Sequence, residues 1–332
     1  GNRQCETYIG KWTGYDVLGN GLYKLGIYDG VQHYCSNTSY DYFCFPAKIL
    51  YSRTYIRSCK GLKNRQRIGG CEVELVKKVR FEEMLPDELL AVMKEEKPVY
   101  LPVGSMEWHS VHLGMGVDTV HAENIGIALA EKIGGAVFPG MYIGTESLRS
   151  PESLRKLGFD GDEQIAGMDF PGNSLKSCYW PSELFQKIIE TQIELLLAMG
   201  FRKIVILNGH GAMVQKKILK EISARYTKDD VRVLSIMVLQ PDCGAGLGHA
   251  GLAETALMNY LCPESMDISK LPAKNERLYY KNFGIADAGG NEAGEYYVHY
   301  DPRNSSEELG RQIFEAEVEK CTRYIADILK AD

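Results

Sequence analysis

Three short stretches of this chain hold the residue types that could do metal chemistry. The first is Gly104-Ser-Met-Glu107-Trp-His109-Ser-Val-His112-Leu, followed by Asp118. Glu107 and His109 are two residues apart, so an extended backbone sends both side chains from the same face. Asp118 comes after a glycine-punctuated loop long enough to fold back beside them. The second stretch is Asn208-Gly-His210-Gly211, and the third is Gly248-His249-Ala-Gly-Leu-Ala-Glu254-Thr255. Of only seven histidines in the chain, four lie in these stretches, and His109, His210 and His249 are the candidates for the site. Mixed imidazole and carboxylate donors suit zinc, manganese or iron better than magnesium or calcium. Glu107, His109, Asp118, His210 and Glu254 would suffice for two divalent ions, with Asp118 as the natural bridge. Paired ions about 3.5–4 Å apart polarise a carbonyl and generate hydroxide at neutral pH. His249, on a separate loop, would then pass a proton to the departing nitrogen.

The surrounding pattern predicts what positions these groups. Phe81–Glu95 reads as a helix with Leu85, Leu89, Leu90 and Val92 on its apolar side, and Pro98–Val103 as a strand buried on both faces. Ala122–Ile133 reads as a helix stopped by Gly134-Gly135, and Ala136–Ile143 as a second strand. Residues 145–170 are polar and punctuated, an excursion expected to add a wall or lid. A long helix opens at Pro181 and runs to Met199, with Leu184, Ile188, Leu195 and Leu196 among its buried positions. Strand Lys203–Leu207, helix Val214–Tyr226, strand Val231–Leu239 and helix Ala250–Leu261 follow. Ser305 and Glu308 fit a capping box for a last helix reaching about Leu329. Strands alternating with helices of this length imply an α/β domain around a mostly parallel sheet, with right-handed crossovers placing helices on both faces. All three clusters then fall at the carboxyl ends of strands, where such sheets bind ligands.

The chain has 332 residues, 45% of them apolar and 25% charged, as in soluble globular proteins. A net charge of -6 argues against general nucleic-acid binding, and no apolar run reaches the length of a membrane span. No charged-then-apolar signal pattern opens the chain, which starts at Gly1 without a methionine and so leaves a preceding segment open. Nine cysteines, an odd number with no C-x-x-C pair, favour a reducing, cytoplasmic setting. Residues 1–72 differ from the remainder, 73–332: they are rich in Tyr, Gly and Cys and net basic, with short β-prone runs at Tyr40–Pro46 and Ile49–Ile56. They read as a loosely ordered extension, or as an accessory module that meets a partner.

Taken in order, Gly104-Ser-x-Glu-x-His-x-x-His-Leu, Asp118-Thr, Phe170-Pro-Gly, Asn208-Gly-His-Gly, His249-Ala-Gly-x-x-Glu-Thr and Asp301-Pro-Arg resemble the creatininase (creatinine amidohydrolase) family. The resemblance covers roughly residues 75–330. It implies a three-layer α/β/α fold, two divalent ions per subunit, hydrolysis of a non-peptide C–N bond in a small amide (cyclic ones included), and a homo-oligomer, hexameric by analogy. Its ligands fall on Glu107, His109, Asp118 and His210; Glu254 matches the acidic residue of the His-Ala-Gly motif, and His249 the histidine beside the substrate. Where creatinine-hydrolysing members carry a glutamate ligand two residues after the second motif's histidine, this chain has Ala212, so Glu254 is expected to supply the missing carboxylate. Trp108, Ser110, Val111, Gly114, Met213 and Leu252 also depart from the family pattern, which reworks the pocket wall and points away from creatinine itself. A formamide deformylase or peptidase-like hydrolase on the same site, or a metal-binding scaffold without catalysis, are the alternatives.

Asn208, Gly211, Asn173 and Tyr142 are the candidate substrate contacts, with backbone N–H groups of the Asn-Gly-His-Gly turn suited to a substrate oxygen. Asn208 and Gly211 would equally serve a plain strand-to-helix turn. His112 is expected to be structural, His121 a capping or surface residue, and His33, His299 and Cys243 incidental.

Overall fold

A computed structural model describes residues 78–239, 248–287 and 301–329, together with the backbone of five strands nearer the N-terminus. The chain divides into two compact units, Gly1–Val76 and Lys77–Asp332. In the first, β1 (Asp16–Leu18), β2 (Leu22–Tyr28) and β3 (Val31–Ser36) form an antiparallel sheet, and β4 (Asn64–Ile68) pairs with β5 (Cys71–Leu75). Strand β5 spans residue 72 and belongs wholly to this unit. The runs 40–46 and 49–56, His299 and Cys243 lie outside the described residues, as does the side chain of His33.

The second unit is built on a parallel sheet. Strand β6 (Val99–Gly104) lies at its centre, with β7 (Ala136–Val137) and β8 (Met141–Tyr142) on one side and β9 (Lys203–Asn208) then β10 (Arg232–Met237) on the other. Every residue of β6 is buried, as a strand covered on both faces requires. Around the sheet run α1 (Pro86–Lys94), α2 (Val117–Ile133), α3 (Pro151–Lys156), α4 (Ser182–Met199), α5 (Met213–Tyr226), α6 (Leu252–Leu261), α7 (Tyr280–Phe283) and α8 (Glu307–Leu329). The strands sort their side chains by alternation. Val99, Leu101, Val103, Ile204 and Ile206 pack with Phe185, Ile189, Ile193 and Leu196 of α4 and Leu219 and Ile222 of α5. Tyr100, Val205 and Leu207 pack on the opposite face with Ile125 and Leu129 of α2 and Cys321 and Ile325 of α8. The architecture is a three-layer α/β/α sandwich. No helix among the described residues is long and apolar enough to cross a membrane.

Several sequence expectations are corrected. The strand expected over 136–143 is two short pieces, because Pro139 cannot donate to a ladder and interrupts it. The helix expected over 81–95 is a 3₁₀ turn at Phe81–Glu83 followed by α1, restarted at Pro86, and Leu85 and Leu90 point outward. In α4 the buried stripe is Phe185, Ile189, Ile193 and Leu196, whereas Leu184 and Leu195 are exposed. Ser306, not Ser305, caps α8: its Oγ accepts Leu309 N–H at 3.1 Å, and Glu308 turns to Arg311 instead. Helix α2 begins five residues before the expected Ala122, which places Asp118 in its first turn and His121 inside it. His121 is therefore no surface residue. It is buried, and its Nε2 meets Glu317 Oε2 of α8 at 2.6 Å.

The Asp301-Pro-Arg signature is a structural clamp. Arg303 is paired with Asp301 at 2.9 Å and donates to the carbonyls of Pro272, Ala273 and Glu276.

Candidate metal centre

The carboxyl ends of β6 and β9 and the first turns of α2 and α6 converge on one buried cluster. Gly209 shows how tightly: a Cβ there would stand 2.1 Å from the carbonyl oxygen of Asp118, so the Asn-Gly-His turn can cross the start of α2 only without a side chain. Asp118 divides its two oxygens. Oδ1 lies 3.2 Å from His109 Nε2, and Oδ2 lies 3.1 Å from His210 Nδ1. Glu107 Oε2 stands 3.0 Å from the same His210 nitrogen, and Glu254 Oε2 stands 3.8 Å from His109 Nε2. Two ligand triads result, Glu107/Asp118/His210 and His109/Asp118/Glu254, each with donor atoms within 4.8 Å of one another. A third grouping, Glu107/His109/His249, overlaps both.

The protonation pattern fits a cation. His109 Nδ1 donates to the carbonyl of Glu107 at 3.0 Å, which turns Nε2 toward the carboxylates of Asp118 and Glu254. His210 Nε2 is buried without a hydrogen-bond partner. Burial alone would lower the His109 pKa, but the Asp118 hydrogen bond and the Asp118 and Glu254 charges outweigh it and push the imidazole up to about 10. In the same way Glu107 and Asp118 lift His210 well above its ordinary value against burial. For Glu107 and Asp118 burial works upward, yet the facing histidines hold both below the usual carboxylate range. The pocket thus demands positive charge, and a divalent ion can take the place of each imidazole proton. Glu254 behaves differently: burial dominates and raises it to about 7.

His249 sits at the rim. Its side chain is 17% exposed, against 9% for Glu254 and less for the other four. Its backbone is held by antiparallel pairing of β11 (Gly248–His249) with β12 (Ala286–Asp287). Its ring stacks on His109 at 4.2 Å. Nε2 donates to the carbonyl of Trp108 at 2.8 Å, so the neutral ring keeps its Nδ1 lone pair on the cluster side, 3.9 Å from Glu107 Oε2. Burial and the His109 charge lower its pKa to about 4.

The candidate substrate contacts fare unevenly. Asn208 is buried and spent on the turn: Nδ2 donates to His210 O, while Oδ1 accepts from His210 N–H and Gln215 Nε2. These bonds shape the loop that carries His210. Gly211 is exposed with open space around it. Asn173 is tied to Met168 O at 2.7 Å, inside the excursion. Tyr142 is half-exposed with its ring against Gly116. Among the described residues neither Asn173 nor Tyr142 hydrogen-bonds the cluster. His112 is structural as expected, with Nε2 2.9 Å from Thr255 Oγ1.

Two supporting residues escaped sequence reasoning: Ser105, whose Oγ donates to Asp118 Oδ2 at 2.6 Å, and Gln215, which braces Asn208 and accepts Thr145 N–H. Tyr179, which the sequence offers as a pocket-lining or packing aromatic, reaches Glu107. Ser105 sits inside the first motif and could have been read as a carboxylate donor; Gln215 carries no local signal.

A family model described as "Creatininase: Creatinine amidohydrolase" matches residues 82–325. The chain belongs to the creatininase family. Members of this family are hydrolases of C–N bonds other than peptide bonds. A creatinine amidohydrolase of Pseudomonas putida is 30% identical over 190 residues, which is 52% of this chain and 66% of that protein's length. Among solved structures, a mutant creatininase described as its Zn-Zn type aligns with TM-score 0.54 at 22% identity, over 77% of this chain and 100% of its own. A manganese creatininase aligns with TM-score 0.54 at 21% identity, over 76% and 100%. At that identity the likeness is one of fold. Ala212, where the resemblance led to the expectation of a glutamate, is buried at the start of α5 on the His210 side, whereas Glu254 approaches His109 from α6, a different element, and so does not occupy the position of that missing carboxylate.

Proposed function

We propose that this protein is a two-metal amidohydrolase that cleaves the C–N bond of a small amide, cyclic amides included. The observation that carries the reading is the division of Asp118, whose two oxygens face separate triads, each completed by one histidine and one glutamate. When bound, a pair of zinc or manganese ions would supply Lewis acidity toward a carbonyl and a nucleophile at neutral pH. Glu107 and His210 would hold one ion and His109 and Glu254 the other, with Asp118 shared. Ser105 fixes the rotation of Asp118 through both its N–H and its Oγ.

His249 handles the proton. With Nε2–H committed to Trp108, its Nδ1 accepts a proton on the cluster side and delivers it to the departing nitrogen. Glu107, 3.9 Å away, stabilises the imidazolium formed in between. Gly211, exposed after the histidine, leaves backbone at the mouth accessible to a substrate oxygen.

Asp118→Ala should abolish uptake of both ions, measured by metal analysis of the purified protein, along with hydrolysis of every amide in a panel of creatinine, cyclic ureides, formamides and short peptides. Retained turnover in that variant would refute the reading. Wild-type protein that binds two ions yet turns over no member of the panel would favour a scaffold.

A further inference from the structure

Tyr179 lies outside every motif of the chain, yet its hydroxyl reaches the cluster. It donates to Glu107 Oε1 at 2.5 Å and accepts the Met168 N–H at 3.0 Å. The other oxygen of Glu107 is the one that faces His210, at 3.0 Å. A phenol has one proton to give, so this geometry ties one named carboxylate oxygen to one named hydroxyl. Two neighbouring hydrogen bonds fix the pair in place: Cys178 N–H donates to Met106 O at 2.7 Å, and Trp108 N–H to the side-chain Oγ of Ser177 at 3.0 Å. The excursion closes over the hydroxyl at Gly167, whose φ is 51° and where a Cβ would stand 2.3 Å from the Tyr179 oxygen.

We propose that Tyr179 is a positioning residue that holds Oε1 of Glu107 and so reserves Oε2 for the ion shared with Asp118 and His210. This rests on the two-metal reading above. Because the same hydroxyl anchors Met168, the excursion at 145–170 and the ion pull on one group. An ion that orders Glu107 also tightens the excursion, and by reciprocity an ordered excursion raises ion affinity.

The test uses the full chain, freed of metal by chelation and titrated calorimetrically with zinc alone, for wild type, Tyr179→Phe and Gly167→Ala. The second variant crowds the hydroxyl and the ring carbon that bears it while leaving Tyr179 itself unchanged. Both should lose about 10–100-fold in affinity for the tighter ion, the range for partners that orient metal ligands. Limited proteolysis supplies a readout that a merely structural role would not move. Zinc should protect the 145–170 segment in wild type and fail to do so in either variant. Wild-type affinity with unchanged zinc protection in Tyr179→Phe overturns this inference and leaves the two-metal reading standing. A wild-type protein that takes up no zinc overturns both.

Discussion

The two halves of the cluster share Asp118 but are built to different standards. The Glu107/His210 half is braced from several directions. Ser105 holds Asp118 Oδ2, Tyr179 holds Glu107 Oε1, and Asn208 with Gln215 locks the turn that carries His210. Its carboxylates are ionised well below neutral pH. The His109/Glu254 half has less support. Glu254 is held by a single backbone donor, Ala250 N–H at 2.5 Å, from a residue in the left-handed region with φ 50°. Its pKa is raised to about 7 by burial. Preorganised donors bind an ion without further ordering, whereas a carboxyl that must first lose a proton binds more weakly. On the proposed two-metal reading, the first half would be the tight site and the second the labile one.

That contrast can be broken in stages. His210→Ala should have the largest effect after loss of Asp118, removing the tight ion altogether and lowering affinity beyond the roughly 10–100-fold that orienting partners cost. Zinc retained after dialysis measures it. Glu254→Ala should strip only the labile ion, leaving one ion per chain in the same dialysis. If both ions left together, the halves would not be independent. Ser105→Ala should cost about tenfold at the tight ion, since Asp118 keeps its histidines but loses a hydroxyl donor.

The smallest effect concerns protons. The facing carboxylates raise both imidazoles against burial, to about 10 for His109, so each holds its second proton more firmly before an ion arrives. Each ion should therefore release about one proton at pH 8. Below pH 7 Glu254 is also protonated, so the labile ion should release about two and weaken more steeply with acid than the tight one. Calorimetry in buffers of different ionisation enthalpy reads these counts directly, and equal counts at pH 6 would erase the distinction.

Much of this centre was legible in the sequence because its ligands stand on short motifs at strand ends, where type and spacing suffice. Glu107, His109, Asp118, His210 and Glu254 meet although more than a hundred residues separate the first from the last. The parallel sheet was legible too, since fully apolar runs such as Val99–Val103 leave little alternative. What could not be read depends on the third dimension. Tyr179 was legible only as an aromatic near the pocket, not as a partner of Glu107, and it and Gln215 act across 72 and 70 residues of chain on groups that no local pattern links to them. The stripe of α4 was misjudged at Leu184 and Leu195 because a leucine-rich helix offers several apolar faces, and only packing selects one. Asn208 was read as open to either role, and its two bonds to His210 show the turn taking the whole side chain.

The buried contact between His121 and Glu317 has a consequence for the order of assembly. His121 lies one turn beyond Asp118 on α2, and its pKa is raised against burial by the Glu317 charge. Stranding one member of a buried ion pair costs about 3–5 kcal/mol. A chain emerging from the ribosome presents α2 long before residue 317, so the helix that bears Asp118 gains this buried carboxylate partner only once α8 has been made. Truncation before α8 should therefore lower the pKa of His121, since burial then acts without the Glu317 charge.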